Sequence, residues 1–92
     1  MSGNRPYTIE YLADVLEDDL PRLSKSAKTL IMRAIESRLA VNPLLYGKPL
    51  RYSLNGHRRL HVSDYRIVYF IEEAKHNVVV TAIKHRSVVY DA

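Results

Sequence analysis

The hydrophobic period of this chain changes at Asn42-Pro43. Before this dipeptide, apolar residues recur every three or four positions and form the stripe of an amphipathic helix: Ala27, Leu30, Ile31, Ala34, Ile35 and Leu39. After residue 48 the pattern has period two, which is typical of strands. Proline disfavours a helical conformation of the residue before it, so the helix is predicted to end here. The sequence therefore predicts an α+β domain, with helices on one face of a small antiparallel sheet.

The other predicted elements follow from local signals. Tyr7 to Leu12 is predicted to form a first strand, and Asp14 to Leu20 a short helix that Pro21 interrupts. Ser24 is the predicted N-cap of the amphipathic helix. After a loop at 44–48, strands are predicted at 49–54, 57–62, 65–71 and 77–84. The runs at 65–71 and 78–83 are almost wholly apolar, which is typical of central strands.

Two turn signals set the predicted pairing of the strands. Ser63-Asp64 as a tight turn places Val62 opposite Tyr65 and His61 opposite Arg66. The face of these strands away from the helices then carries His57, Arg59, His61, Arg66, Val68 and Phe70, and the face toward them Leu60, Val62, Tyr65, Ile67 and Tyr69. Asn55-Gly56 favours a type I′ hairpin turn. A strict two-residue turn there would turn Leu50, Tyr52 and Leu54 to the basic face, which a wider loop or a bulge would avoid.

Composition limits the class of protein. The 92 residues are expected to form one domain, 1–92. There is no cysteine, no apolar run long enough for a membrane span and no visible secretion signal, which together favour the cytoplasm. Residues 48–92 hold eight Lys/Arg against four Asp/Glu and all four histidines, whereas residues 1–47 hold six of each charge. This surplus of positive charge favours an anionic partner, or simply a solvated surface.

The row of imidazole and guanidinium groups suits a phosphodiester. His57, Arg59 and His61 would otherwise be a solvated outer face. Arg66 lies within a predicted central strand, where a charge needs a ligand or a partner such as Asp64 or Glu72. The histidines and carboxylates do not have metal-ligand spacing, so no metal or other cofactor is expected.

The residues 85–90, HRSVVY, form a second basic segment that ends in a tyrosine. Tyr90 is suited to stacking on a base or to handling a proton, and the alternative is a hydrophobic anchor.

Two segments, DYRIVY at 64–69 and HRSVVY at 85–90, together with GKPLRYSLNGHRRLHV at 47–62, give the chain a family resemblance. It resembles the RelE/ParE superfamily of toxins from bacterial toxin–antitoxin pairs. The resemblance implies a RelE-like, microbial ribonuclease-type fold. For RelE-like members it also implies ribosome-dependent cleavage of mRNA in the ribosomal A site, without metal.

The resemblance implies roles for individual residues. The expected catalytic residues are His57, Arg59, His61, Arg66, Arg86 and Tyr90, and the expected RNA-binding residues are Lys48, Arg51, Arg58, Lys84 and His85. The general base stays open among His57, Arg59 and His61, and Lys84 competes with Arg86 for the later cationic position. The expected partners are a cognate antitoxin, the ribosome and mRNA, with operator DNA bound only through the antitoxin complex and no membrane.

Two alternatives come from the same superfamily. ParE-like members inhibit DNA gyrase and lack the basic cleavage residues. A degenerate member would only bind its antitoxin or RNA and would not harm cells.

Overall fold

Five strands and three helical segments make up residues 5–88, the part of the chain that the computed structural model describes, with Ser53 described by its backbone alone. In chain order they are β1 (Thr8–Tyr11), α1 (Val15–Asp19), α2 (Lys25–Ala34, continued by the wider turn Ile35–Leu39), α3 (Pro43–Tyr46), β2 (Lys48–Pro49), β3 (Arg58–Val62), β4 (Tyr65–Glu72) and β5 (Asn77–His85). Short 3₁₀ turns lie at Tyr52–Leu54 and Glu73–Lys75. No helix within residues 5–88 has the length and apolar character needed to cross a bilayer.

The strands form one sheet in the order β1-β5-β4-β3-β2. The α+β prediction is confirmed, and β4 and β5 are interior strands as their apolar runs indicated. The first strand joins the sheet parallel to β5, whereas every other neighbouring pair is antiparallel. The sheet is therefore mixed, because β5 lies between β1 and β4 and runs parallel to β1 but antiparallel to β4.

The amphipathic helix α2 begins and ends where the sequence predicts. The Ser24 hydroxyl accepts a hydrogen bond from the backbone N–H of Ala27 at 3.1 Å, which satisfies one of the unpaired amides of the first turn. Ile31, Ile35 and Leu39 are buried against the sheet. The prediction for Leu30 is wrong: its side chain is 47% exposed, because it lies at the border of the stripe.

A third helical segment replaces part of the loop predicted at 44–48. The Asn42 side chain accepts a hydrogen bond from the backbone N–H of Leu45, and Pro43 occupies the first turn of α3. Proline is favoured there because the amide that it lacks has no helical partner anyway. Asn42-Pro43 thus ends one helix and begins the next.

The strand predicted at 49–54 and the type I′ turn are both wrong. β2 is only two residues long, and Tyr52, with a φ of 58°, interrupts any extended run. Asn55 has φ −56° and ψ 135°, Gly56 has φ 92°, and the backbone N–H of His57 donates to Leu54 at 3.0 Å. These angles define a type II turn, in which the glycine alone needs positive φ. Residues 50–57 therefore form the wider loop that resolves the register problem.

A β-bulge keeps β5 in phase with the core. Ile67 pairs with Ile83, but Tyr69 pairs with Val80, so Thr81 is the extra residue between them. Its hydroxyl donates to the backbone carbonyl of Val68 at 3.3 Å. Since side chains alternate along a strand, the extra residue lets both Ile83 and Val80 face the helices.

The buried Asp19 joins α1 to the second half of β5, beyond the residues that pair with β1. Its carboxylate, 4% exposed, accepts hydrogen bonds from the backbone N–H of Ile83 at 2.8 Å and from Nζ of Lys84 at 2.6 Å. β1 pairs only with the first half of β5, and beyond this pairing the Asp19 carboxylate accepts the hydrogen bond from a β5 amide. The arrangement satisfies both the charge and a strand amide.

Candidate active site

The β3–β4 hairpin has the register that the sequence predicts. Ser63-Asp64 forms the turn, Val62 pairs with Tyr65, and His61 pairs with Arg66. Leu60, Val62, Ile67 and Tyr69 face the helices and are buried. Alternation therefore places Arg59, His61 and Arg66 on the opposite, open face of the sheet.

Lys48 completes a basic cluster on this face, which consists of Lys48, Arg59, His61 and Arg66. It pairs with Arg59 across β2 and β3, and it lies close enough to His61 to act on its charge. The cluster thus joins an edge strand to the two strands of the hairpin.

The cluster changes the acidity of its histidine. Burial lowers the pKa of His61 below its ordinary value of 6.5, and repulsion from Arg59, Arg66 and Lys48 lowers that pKa further. His61 is therefore a neutral imidazole near neutral pH, surrounded by fixed positive charge. A neutral imidazole can accept a proton, and its neighbours attract an anion.

His57 lies at the start of β3, beside an aromatic ring. It makes an edge-to-face contact with Phe70, with the ring centroids 5.4 Å apart. Its Nδ1 is buried and has no hydrogen-bond partner among residues 5–88. His57 is thus packed on the apolar part of the open face, whereas His61 lies among the cations.

Arg58 projects to the other side of the sheet from Arg59. Its guanidinium donates hydrogen bonds to the backbone carbonyls of Leu44 at 2.9 Å and Gly47 at 2.7 Å. It thus holds the end of α3 against the sheet, and the structure does not bring it to the basic cluster.

The cations of β5 are placed separately from the cluster. Lys84 pairs in register with Arg66, but its ammonium contacts Asp19. His85 packs edge-to-face on Tyr65 and accepts a hydrogen bond through Nδ1 from the backbone N–H of Ser87. These contacts lie on the side of the sheet that faces α1.

Arg86 is exposed at the turn of the hairpin, where its Nε is 3.6 Å from the Asp64 carboxylate. Arg51 is exposed in the 50–57 loop. The prediction for Tyr90 lies outside the described residues.

The two carboxylates that the sequence offered as partners for Arg66 contact other groups. Asp64 faces Arg86, and Glu72 accepts a hydrogen bond from Nδ2 of Asn77 at 2.8 Å. Among residues 5–88, no three His, Asp or Glu side chains converge in a way that would hold a metal ion.

A hollow of about 240 Å³ beside the cluster is lined in part by two residues that the sequence did not predict to be near it. It is lined by Arg38, Tyr46, Lys48, Arg59, Leu60 and His61. Arg38 comes from the last turn of the α2 continuation and Tyr46 from the end of α3. Both lie on helical segments that precede β2 in the chain, so only the tertiary fold brings them to β3.

Comparison with known proteins gives consistent results. Residues 9–90 match the family model described as ParE toxin of type II toxin–antitoxin system, parDE. The chain is 34% identical to the toxin RelE of Mycobacterium tuberculosis strain H37Rv over 90 residues, which cover 98% of this chain and 92% of that protein.

Solved structures agree with this match. The RelBE2 toxin–antitoxin complex of M. tuberculosis contains a chain that superposes with a TM-score of 0.84 at 27% identity, covering 96% of this chain and 100% of that one. The isolated RelE toxin of E. coli has the same fold, with a TM-score of 0.71 at 16% identity, covering 86% of this chain and 83% of that one.

Proposed function

Because the chain belongs to the RelE/ParE superfamily of toxins from type II toxin–antitoxin systems, we propose that it is a ribosome-dependent endoribonuclease. Its substrate is mRNA in the ribosomal A site, and its effect is to inhibit translation. The observation that supports this activity best is the cluster of Lys48, Arg59, His61 and Arg66, with a neutral imidazole among fixed cations.

The proposed reaction uses the ribose of the substrate as the nucleophile. The 2′-hydroxyl gives its proton to the neutral imidazole of His61, and the 2′-oxygen bonds to the adjacent phosphorus as the bond to the 5′-oxygen breaks. We favour His61 over His57 as the base because His57 packs on Phe70, outside the cluster.

Charge develops on the phosphate in the transition state. The guanidinium groups of Arg59 and Arg66 are suited to stabilise it, since they remain charged and bind phosphate oxygens in a bidentate way. The leaving 5′-oxygen takes up a proton from a donor, and the family resemblance implies that this donor is Tyr90. Arg86, at the turn of the same hairpin, is proposed to contact the substrate backbone.

The proposed partner is an antitoxin protein. The RelBE2 relative was solved as a toxin–antitoxin complex. An acidic segment of an antitoxin would complement the basic cluster and so exclude the phosphate backbone from it. Neutralisation would then follow from competition for the same cations.

The test is induced expression of the wild type and Arg66→Ala in a bacterial host, with mRNA 5′ ends mapped across coding regions. The wild type should produce new cuts in translated frames, and Arg66→Ala should reduce them by roughly 10²–10³-fold, as for other lost transition-state donors. Arg33→Ala removes an exposed arginine of α2 and should cut like the wild type. Full cleavage by a folded Arg66→Ala protein, checked by circular dichroism, would disprove the site assignment.

Inhibition of DNA gyrase is the second candidate, since the matching family model describes ParE toxins. It gives a different result in the same experiment. Growth would stop and DNA supercoiling would fall while mRNA stayed intact. The basic cluster argues for the nuclease, because a gyrase inhibitor does not need a neutral histidine among cations.

A further inference from the structure

The hollow beside the cluster lies at the outer edge of β3. Pairing with β2 covers only Arg58 and Arg59, so β3 continues past its neighbour. In place of a longer β2, the ends of α2 and α3 bring Arg38 and Tyr46 to this edge. The hollow shares Lys48, Arg59 and His61 with the basic cluster, so the two surfaces are continuous.

The lining of the hollow is positively charged. Arg38, Lys48 and Arg59 contribute to it, and none of its lining residues is acidic. No carboxylate within residues 5–88 lies at ion-pair distance from these three side chains. The positive charges of Lys48 and Arg59 also act on His61, since both help to lower its pKa. The hollow therefore attracts an anion from another molecule, because no carboxylate of residues 5–88 pairs with its cations.

Tyr46 adds an aromatic surface to these cations. Its side chain is 46% exposed, and residue 46 ends a short helix that the Asn42 cap and the Arg58 guanidinium hold in place. An aromatic ring beside a row of Lys and Arg is the combination that binds single-stranded nucleic acid, since bases stack on the ring and phosphates contact the cations.

We propose that this hollow binds the mRNA nucleotide next to the one that is cleaved, with its base stacked on Tyr46 and its phosphate held by Arg38 and Lys48. The proposal rests on the proposed nuclease function. The substrate strand crosses the β3 edge, and Arg59 and His61 belong to both the cleavage site and this subsite. The subsite orients the strand, so Tyr46 and Arg38 are binding residues and take no part in the chemistry.

A base is a better occupant than a protein segment for two reasons. Three of the six residues that line the hollow are cations, and Leu60 is the aliphatic one. The neighbouring exposed apolar residues Val41 and Leu45 do not line it. A protein segment docked by hydrophobic burial would use those residues instead.

The experiment measures cleavage of a short mRNA on purified programmed ribosomes, with kcat and KM determined separately. Tyr46→Ala should raise KM by about 5- to 150-fold, because stacking contributes roughly 1–3 kcal/mol per base, and should change kcat little. Tyr46→Phe keeps the ring and should behave like the wild type. Arg38→Gln should raise KM and make it less sensitive to salt. Leu45→Ala is the matched control, since it truncates an exposed side chain of the same helix outside the hollow.

The outcomes separate the two proposals. No cleavage by the wild type would overturn the nuclease function and this subsite with it. Cleavage by the wild type with unchanged KM in both folded Tyr46→Ala and Arg38→Gln would overturn the subsite alone. Weaker antitoxin binding by Tyr46→Ala with unchanged KM would also overturn it, and would assign the hollow to the protein partner.

Discussion

The hydroxyl of Tyr69 occupies the space beside Gly47 into which any side chain would project. A Cβ built on Gly47 would lie 1.8 Å from that oxygen and 2.7 Å from the ring carbon that bears it. The same hydroxyl donates a 2.6 Å hydrogen bond to the backbone carbonyl of Pro43. The ring of a central strand thus fixes the chain between α3 and β2.

Gly47→Ala is therefore expected to destabilise the protein by about 1–3 kcal/mol, the usual cost of overpacking a core. The φ of Gly47 is −98°, so the effect comes from contact and not from backbone strain. Urea unfolding measures it. Val41→Ala, at a residue that is 64% exposed, is the control and should stay close to the wild type. An unchanged midpoint for Gly47→Ala would mean that the Tyr69 ring can move aside.

Arg58 and Arg59 are adjacent in the chain but should respond differently to substitution by glutamine. Arg58→Gln removes two hydrogen bonds to backbone carbonyls and should lower the free energy of unfolding by about 1–3 kcal/mol. Arg59→Gln removes a cation that repels its neighbours and should leave stability equal or slightly higher. Chemical denaturation of both variants checks this. Equal losses would contradict the assignment of the two side chains to opposite faces.

Lys84→Met should destabilise the protein through Asp19. The carboxylate would keep the N–H of Ile83 but lose its ion pair while remaining buried. The expected loss is about 1–3 kcal/mol, below that of a fully buried pair because Lys84 is 33% exposed.

Lys75→Met is the matched control for Lys84→Met. Its ammonium is 3.9 Å from Glu72 and largely exposed, so thermal melting should show no measurable change. If both lysine variants melt alike, the Asp19 pair contributes nothing beyond an ordinary surface contact.

The pKa of His61 should be measurably below its ordinary value, and Lys48→Gln should raise it by removing one of the repelling charges. Proton NMR titration of the imidazole gives both values. Lys75→Gln, on a residue that does not act on His61, should leave this pKa where it is. A pKa that does not respond to Lys48→Gln would show that the two side chains are too far apart to interact.

The same histidine should make stability depend on pH. Because its pKa is lower in the folded chain than in the unfolded one, protonation favours the unfolded chain. Its contribution is complete above pH 6.5 and is lost as pH falls through the folded pKa. Unfolding free energies at several pH values should therefore fall less steeply for His61→Gln than for the wild type. Parallel curves would contradict the lowered pKa.

Local signals in the sequence were enough to predict the hairpin and its faces. Ser63-Asp64 fixes the register of Val62 and His61, and the period of two then assigns every side chain to a face. The helix α2 was equally predictable, because its cap and its apolar stripe are both local features.

Other features depend on contacts that are distant in the chain. β2 is short because the chain does not stay extended after it: Tyr52 has a positive φ. No residue type in this segment predicts that conformation. The positions of Arg58 and Lys84 depend on the carbonyl of Gly47 and the carboxylate of Asp19, far away in the sequence. The approach of Tyr46 to His61 likewise arises only when α3 packs beside β3.

The parallel pairing of β1 with β5 affects how the protein folds during its own synthesis. Thr8 pairs with Asn77, so the first strand made has no neighbour in the sheet until the last one has left the ribosome. β4 likewise lacks one of its two neighbours until then. Closing so long a loop is slow because its entropy is lost before the contacts form. The cations of the basic cluster therefore lie on an incomplete sheet until β5 has left the ribosome, so the folded toxin forms only after this strand has been made.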